Sequence, residues 1–415
     1  MDIKRNVWLR LTALTGAALV AACGGGGGGG DGVIAPYWVQ AGILVTDLNA
    51  DGRADVVVAS TYVAGPPLHP GYVEVFLQSA QGGFAAPVHV ATGPDPWGLS
   101  AGDFDGDGRV DLVVALPATV APQPGVVNDS GGIALLRQDP VQAGRFLPSQ
   151  WTSTGGAATD AAIVDLTGDG RADLIVADGV LVNGRALLLT QNAVPPGTLR
   201  PPLALAIGSG RGSEDVAVGD IDGDGRVDIV LAATDGVVIL RQNGSGSFDP
   251  PAVLAAGLRP QGVAIADIDG DVRTDIVVAN AGNAPAGTTG GASVTLLRQT
   301  SAGAFNATSI TVADGARRVA VADLNGDGLP DVAVVSLVYQ AQKLPSRITV
   351  LLQSAASRGV LVPAGVYDGP SSANFIAIGD LNADGFNDIA VNDGPVVLLQ
   401  RATSPGTFEP PRPLR

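Results

Sequence analysis

Apolar positions along this chain fall into two textures that follow one another in a fixed order. Segments such as "DVAVGD" and "GVAIAD" alternate apolar and polar residues, whereas "DVVVAS", "DLIVAD", "DIVLAA" and "DIVVAN" are apolar at successive positions. Alternation with period two predicts a half-buried strand, and an unbroken β-branched run of this length predicts a strand covered on both faces. A variable stretch comes next, then a third apolar run, as in "VEVFLQ", "GIALLRQ", "VVILRQ", "VTLLRQ" and "ITVLLQ". A Gly-containing turn leads to a fourth predicted strand that often starts with Phe, at Phe84, Phe146, Phe248, Phe305 and Phe408.

Between the first and second strand of each unit sits an acidic nonapeptide. It reads "DLNADGRAD" from Asp47, "DFDGDGRVD" from Asp103, "DLTGDGRAD" from Asp165 and "DIDGDGRVD" from Asp220. "DIDGDVRTD" from Asp267, "DLNGDGLPD" from Asp323 and "DLNADGFND" from Asp380 complete the set. The first Asp residues are 56, 62, 55, 47, 56 and 57 positions apart, a period that signals a stacked or radial repeat. Four-stranded units that are apolar on both faces need a neighbour on each side, and closure into a ring removes exposed ends. The expected fold is all-β: a seven-bladed β-propeller of four-stranded antiparallel blades over residues 33–415. An open solenoid, the alternative, usually carries shorter repeats and distinct end caps.

Composition agrees and removes some functions. Hydrophobic residues make up 46% of the chain and charged residues 15%, so it can build a core and is not disordered. The 58 Gly and 29 Pro favour short strands joined by turns. Net charge is −16 and Lys occurs only at Lys4 and Lys343, so the basic footprint of a nucleic-acid binder is missing. Only Glu74, Glu214 and Glu409 among the 40 acidic residues are Glu; the rest are Asp, a residue of turns and loop ligands.

On these seven in-register motifs the chain resembles the FG-GAP/VCBS repeats of bacterial exported proteins, related to the propeller of integrin α-subunits. The resemblance implies that the acidic loop joins the first two strands of a blade and binds Ca²⁺, up to seven ions in all. The spacing suits that chemistry. Residues one, three and five of a tight turn aim oxygens inward, residue nine closes the shell, and a hard cation takes about six to eight oxygens. The candidate ligands are Asp47, Asn49, Asp51 and Asp55 in blade 1, and Asp103, Asp105, Asp107 and Asp111 in blade 2. Blade 3 offers Asp165, Thr167, Asp169 and Asp173; blade 4, Asp220, Asp222, Asp224 and Asp228. Blade 5 offers Asp267, Asp269, Asp271 and Asp275; blade 6, Asp323, Asn325, Asp327 and Asp331; blade 7, Asp380, Asn382, Asp384 and Asp388. Seven divalent ions, carrying fourteen positive charges, would leave the formal charge of −16 near −2. Two departures weaken individual loops: Val272 replaces the turn glycine of the fifth, and Thr167 removes a charged ligand from the third. The bland alternative is seven metal-free Asx-type turns.

The N-terminus reads as a targeting segment. Lys4, Arg5 and Arg10 precede the apolar run "LTALTGAALVAA", and "LVAAC" resembles the lipobox of bacterial lipoproteins. Residues 1–23 are therefore expected to form a signal peptide ending in a lipidated Cys23, and residues 24–32 a Gly-rich tether. An ordinary cleaved signal peptide is the alternative. The resemblance places the protein at the bacterial cell envelope, on the outer membrane, touching the membrane through the anchor alone and acting as a monomer.

If the acidic loops share one face, the connections after second strands lie on the other. They are long in blades 1, 2, 5 and 6 and short in blades 4 ("TDG") and 7 ("NDGP"). Six residues before each first Asp stand Ala41, Trp97, Thr159, Glu214, Gln261, Arg317 and Asn374, with Asp160, Asp215 and Arg318 one further on. This places Trp97, Glu214, Arg317 and Arg318 as candidate ligand contacts at the channel mouth, against a solvated rim as the alternative. Catalysis has little to use: His69 and His89 are the only histidines, and no nucleophile–base constellation is visible, so no enzyme is expected. The sequence reads as a lipid-anchored, calcium-stabilised binding or adhesion scaffold for a protein or polysaccharide. A carbohydrate-binding or carbohydrate-active propeller is the alternative.

Overall fold

The computed structural model describes residues 37–63, 71–117, 131–179, 184–282, 291–301, 303–313, 315–337 and 345–414. Signal segment, Cys23, tether, His69, Lys343 and the middles of the long connections in blades 1, 2, 5 and 6 lie outside the described residues. Among the described residues no helix is long and apolar enough to cross a membrane.

The strands form seven four-stranded antiparallel sheets, each from four strands consecutive in the chain. Blade 2, for example, consists of Leu99–Gly102, Asp111–Leu116, Gly132–Leu136 and Gln150–Ser153. The first strand of every blade touches the first strands of both neighbours, blade 1 against blade 7 included. The sheets therefore close into a seven-bladed propeller, and the solenoid is excluded. No strand is exchanged at the closure, because blade 1 takes residues 37–91 and blade 7 residues 376–413.

The core is divided among the seven seams. Each apolar cluster draws on two adjacent blades. Along the second strand of blade 2, Leu112, Val114 and Leu116 pack toward blade 1 while Val113 and Ala115 pack toward blade 3. That is why second strands carry no polar alternation: both faces are interior, and each aliphatic side chain so buried contributes about 1.5–3 kcal/mol.

The second residue of each acidic loop (Leu48, Phe104, Leu166, Ile221, Ile268, Leu324, Leu381) is at most 2% exposed. It enters the seam with the following blade. The loop is thus pinned by an apolar plug beside its carboxylates.

One expectation is corrected. Phe84, Phe146, Phe248 and Phe408 do not begin fourth strands but form isolated bridges to Gln78, Gln138, Gln242 and Gln400. Pro87, Pro148, Pro250 and Pro410 follow these Phe residues closely and supply no N–H to the ladder, so pairing lapses before the strand proper. Blade 5 has no such Pro, and there Phe305 does lie inside the strand Ala304–Thr311.

Candidate functional site

All seven acidic loops join first to second strands and so lie at one end of the blades, on one face of the ring. Their shape is set by the first Asp. In blade 2, Asp103 Oδ1 accepts from the N–H groups of Gly106 (2.8 Å) and Asp107 (3.0 Å), and Oδ2 from that of Gly108 (2.9 Å). This wrap forces the fourth and sixth residues into the left-handed region. Glycine fills most of these places, but Ala50 (φ 58°), Ala383 (φ 60°) and Val272 (φ 64°) also adopt it. Val272 still donates its N–H to Asp267 Oδ2 at 2.8 Å, so the fifth loop keeps the shape of its siblings despite the strain of a β-branched residue there. The requirement at the fourth residue goes beyond the sequence expectation, although all seven copies place Gly or Ala there.

The third residue sorts six of the loops into two chemical types; Thr167 of blade 3, its hydroxyl buried, belongs to neither. In blades 1, 6 and 7, Asn49, Asn325 and Asn382 accept through Oδ1 from the N–H of the fifth residue, at 2.9–3.1 Å. In blades 2, 4 and 5 the residue is Asp105, Asp222 or Asp269, and one carboxylate oxygen of each is buried without a hydrogen-bond partner. Burial first, then the neighbouring fifth-residue carboxylate, raises the pKa of all three. These same loops gather three carboxylates whose oxygens lie within 4.8 Å of one another: Asp103, Asp105 and Asp111; Asp220, Asp222 and Asp228; Asp267, Asp269 and Asp271.

Arginines track this division. The residue before the third-strand Gln is Arg137, Arg241 or Arg298 in blades 2, 4 and 5, and it faces Asp105, Asp222 or Asp269 at 3.6–3.9 Å. Elsewhere that residue is Leu77, Thr190, Leu352 or Leu399. A second arginine, the seventh loop residue, pairs with the fifth-residue Asp in blades 1 to 5: Arg53–Asp51, Arg109–Asp107, Arg171–Asp169, Arg226–Asp224 and Arg273–Asp271. Counting loop carboxylates against these arginines, every loop of blades 1 to 5 carries a net charge of −2, whichever type it is. Leu329 and Phe386 stand in the arginine's place in blades 6 and 7, leaving those loops at −3.

The ninth residue does something the spacing did not reveal. Asp228, fully buried, accepts through Oδ2 from Ile221 N–H in its own loop (2.9 Å) and through Oδ1 from Gln242 N–H on the third strand (2.8 Å). The same two bonds recur in every blade. In blades 1 to 5 the third-strand Gln then reaches across the seam, whereas Gln353 and Gln400 donate to Pro330 O and Asn387 O of their own blades. Gln138 Nε2 donates to Leu48 O of blade 1 (2.7 Å), Gln191 Nε2 to Phe104 O of blade 2 (2.6 Å), and Gln78 Nε2 to Asp380 O of blade 7 (3.1 Å). Each of these loops is therefore strapped to its own third strand and latched to its neighbour. Burial pushes Asp111, Asp275 and Asp331 up to about 6 and Asp388 to about 7, more than the N–H bonds they accept hold them down.

On the other face, at the start of the first strands, a ring of contacts closes around the channel mouth. Asp160 carboxylate accepts from Val216 N–H (3.3 Å), and Asp215 carboxylate from Val263 N–H (2.8 Å). Arg318 Nε stands 3.6 Å from Asp215 Oδ1, its second nitrogen donates to Glu214 O (2.8 Å), and a third bond goes to Gln261 O. The guanidinium also lies over the Phe375 ring, 4.7 Å from its centroid, and Phe375 meets Trp97 edge-on at 5.6 Å. Gly98 is required here, because a Cβ would collide with the Asp160 carboxylate.

Of the four residues expected at the mouth, Arg318 is buried and its donors are engaged, which makes it part of the wall. Trp97, Glu214 and Arg317 stand on the rim only partly exposed, Arg317 with its Nε buried. Arg317 donates to Gln261 Oε1, and burial lowers its pKa to about 10, against the opposing pull of Glu214.

Burial, then the Asp215 charge, raises the pKa of Asp160 well above the usual carboxylate range. A folded-state value above the unfolded one stabilises the protein in acid, and this contribution fades as pH rises through the raised value. Asp160→Asn should therefore raise stability at pH 8 and have little effect near pH 4, read by urea denaturation at both values. Equal effects at the two pH values would refute this.

A family profile described as FG-GAP-like repeat matches residues 47–114, 220–278 and 272–334. Integrin alpha pat-2 of Caenorhabditis briggsae is 28% identical over 186 residues, 39% of this chain, and its Caenorhabditis elegans counterpart is 27% identical over the same length. The match spans 15% of the length of these relatives. Among solved structures, an Agrocybe aegerita lectin that recognises non-reducing terminal N-acetylglucosamine superposes with a TM-score of 0.53 at 19% identity, over 90% of this chain and 93% of the lectin. An exotype rhamnogalacturonan lyase superposes with a TM-score of 0.50 at 12% identity, over 86% of this chain and 70% of the lyase. Repeat profile, integrin match and ring of blades agree: the chain carries FG-GAP-like repeats, is similar over part of its length to integrin α-subunits, and folds as a seven-bladed β-propeller.

Proposed function

We propose that this protein is a calcium-stabilised binding scaffold, held at the bacterial cell envelope by a lipid on Cys23, that meets its ligand on the face opposite the acidic loops. The observation that carries the calcium reading is the buried, unpartnered carboxylate oxygen of Asp105, Asp222 and Asp269, in loops whose net charge of −2 matches a divalent cation. The first, third, fifth and ninth residues would hold the ion. Bound there, calcium would supply positive charge and fixed coordination, a structural service rather than a catalytic one. The anchor rests on the lipobox-like "LVAAC" and the glycines after it, and supports placement on the outer membrane with the scaffold acting as a monomer.

Ligand contact is assigned to the rim formed by Trp97, Glu214 and Arg317, which pairs an aromatic surface with both signs of charge on a rigid frame. A protein or a polysaccharide would suit such a rim. The same fold serves sugar recognition in the lectin and a sugar-polymer lyase, so saccharides belong in the test. In a panel of envelope proteins and glycans, the wild type should retain at least one member. The double variant Trp97→Ala/Arg317→Ala should bind that member at least tenfold more weakly, while Asp224→Ala on the other face leaves binding unchanged in calcium. Undiminished binding by the double variant would move the ligand site elsewhere.

A further inference from the structure

The loops of blades 2, 4 and 5 hold four carboxylates and the other loops three. The extra one is the third residue, and it comes with an arginine from the third strand: Arg137 stands 3.7 Å from Asp105, Arg241 3.6 Å from Asp222 and Arg298 3.9 Å from Asp269. Of these side chains, 15–20% of each aspartate and 22–33% of each arginine is exposed, so solvent screens the pairs only in part. The separations are too long for a bidentate hydrogen-bonded fork. Each arginine therefore acts on its aspartate chiefly as a charge.

The repeats themselves supply the control. In the arginine's place stand Leu77, Leu352 and Leu399 beside the Asn-type loops, and Thr190 beside Thr167. Packing does not ask for an arginine here. The turn between third and fourth strands of the following blade seats on this residue in either type of loop: Gly197 lies against Arg137 and Gly359 against Arg298, whereas Gly144 lies against Leu77 and Gly406 against Leu352. Leucine fills the seam equally. What the arginine adds is a positive charge, only where the loop has one carboxylate more. A fourth carboxylate offers a hard cation a further anionic oxygen, but it also adds repulsion among the ligands.

We propose that Arg137, Arg241 and Arg298 are specificity-determining residues of the metal loops. Each offsets the added carboxylate, so that its loop presents four acidic side chains while its net charge, both arginines counted, stays at −2, the value that suits a divalent ion. On the calcium reading above, which this assignment presupposes, the arginine holds calcium affinity down and holds the affinity for a trivalent ion down further.

Calcium, and separately terbium, would be titrated into the metal-stripped protein in competition with a chromophoric chelator, at low and at moderate ionic strength. In the triple variant Arg137→Leu/Arg241→Leu/Arg298→Leu, three stepwise calcium constants should tighten about tenfold each, and the gain should shrink as salt is added. For terbium the same three should tighten about thirtyfold, because the attraction scales with the charge of the ion. Lysine at the three positions should hold both sets at wild-type values, since it keeps the charge and drops the guanidinium fork. Arg137→Leu alone, read as a single tightened constant, keeps the test decisive if the triple variant does not fold. Constants unchanged or weakened by leucine, equal gains for the two ions, or lysine behaving as leucine does would overturn the assignment and leave the calcium reading intact. No calcium uptake by the wild type would remove that reading, and this assignment with it.

Discussion

Excess EGTA should lower the melting temperature of this protein by roughly ten degrees, and added calcium should restore it. The size follows from linkage. A site saturated a hundredfold above its dissociation constant stabilises the fold by about 2.7 kcal/mol. The three loops with converging carboxylates would together give about 8 kcal/mol, and a chain of 415 residues loses about one degree per 0.9 kcal/mol. Removing the ions also leaves like charges facing one another in each of these loops, so moderate salt should recover part of the loss. The Asn-type loops of blades 1, 6 and 7 satisfy their third residue internally and should contribute less. An unchanged melting temperature in excess EGTA would remove calcium from the account and leave seven Asx turns.

The strap itself should show a different dependence. Asp228→Ala strands the N–H groups of Ile221 and Gln242 inside the protein, at about 1–3 kcal/mol each, so urea denaturation should report a loss of about 4 kcal/mol already in EGTA, and a larger one in calcium. Asp224→Ala, four residues earlier, removes a partly exposed pair with Arg226 and should cost about 1 kcal/mol or less in EGTA. In calcium it should cost more, because a ligand is lost as well. Similar losses for the two variants in EGTA would mean that the ninth residue is no more than another metal ligand.

Sequence alone makes the architecture legible because one unmistakable segment recurs in every blade. The 47-residue step from Asp220 to Asp267, the shortest, reflects the tight "TDG" connection of blade 4 and does not hide the period. The ladder is also readable, down to second strands that run apolar at successive positions after their first Asp. Harder to read is whatever joins one blade to the next. The Gln ending each third strand is in plain view in "LLRQ" and "VFLQ", yet its role lies in a bond to a carbonyl some 76 to 90 residues away in blades 2 to 5. The same holds for Arg137, Arg241 and Arg298, present only where the third loop residue is Asp. Aligning the seven repeats column by column makes that co-occurrence visible in the sequence itself. The role of Arg318 is hidden for a different reason. Its position in the strand follows from the repeat, but only the closed ring brings Asp215, Phe375 and two carbonyls around its guanidinium.

Ring closure without an exchanged strand has a consequence for the ancestry of such chains. Order along the chain and order around the circle coincide, and Leu414 of the last blade packs in the same cluster as Ala41 and Ile43 of the first. Which blade comes first is therefore arbitrary. A gene joined end to start and reopened between any two blades would encode the same circle, and a duplicated or deleted repeat would need only to adjust the angle between neighbours, never to find a partner for an orphaned strand.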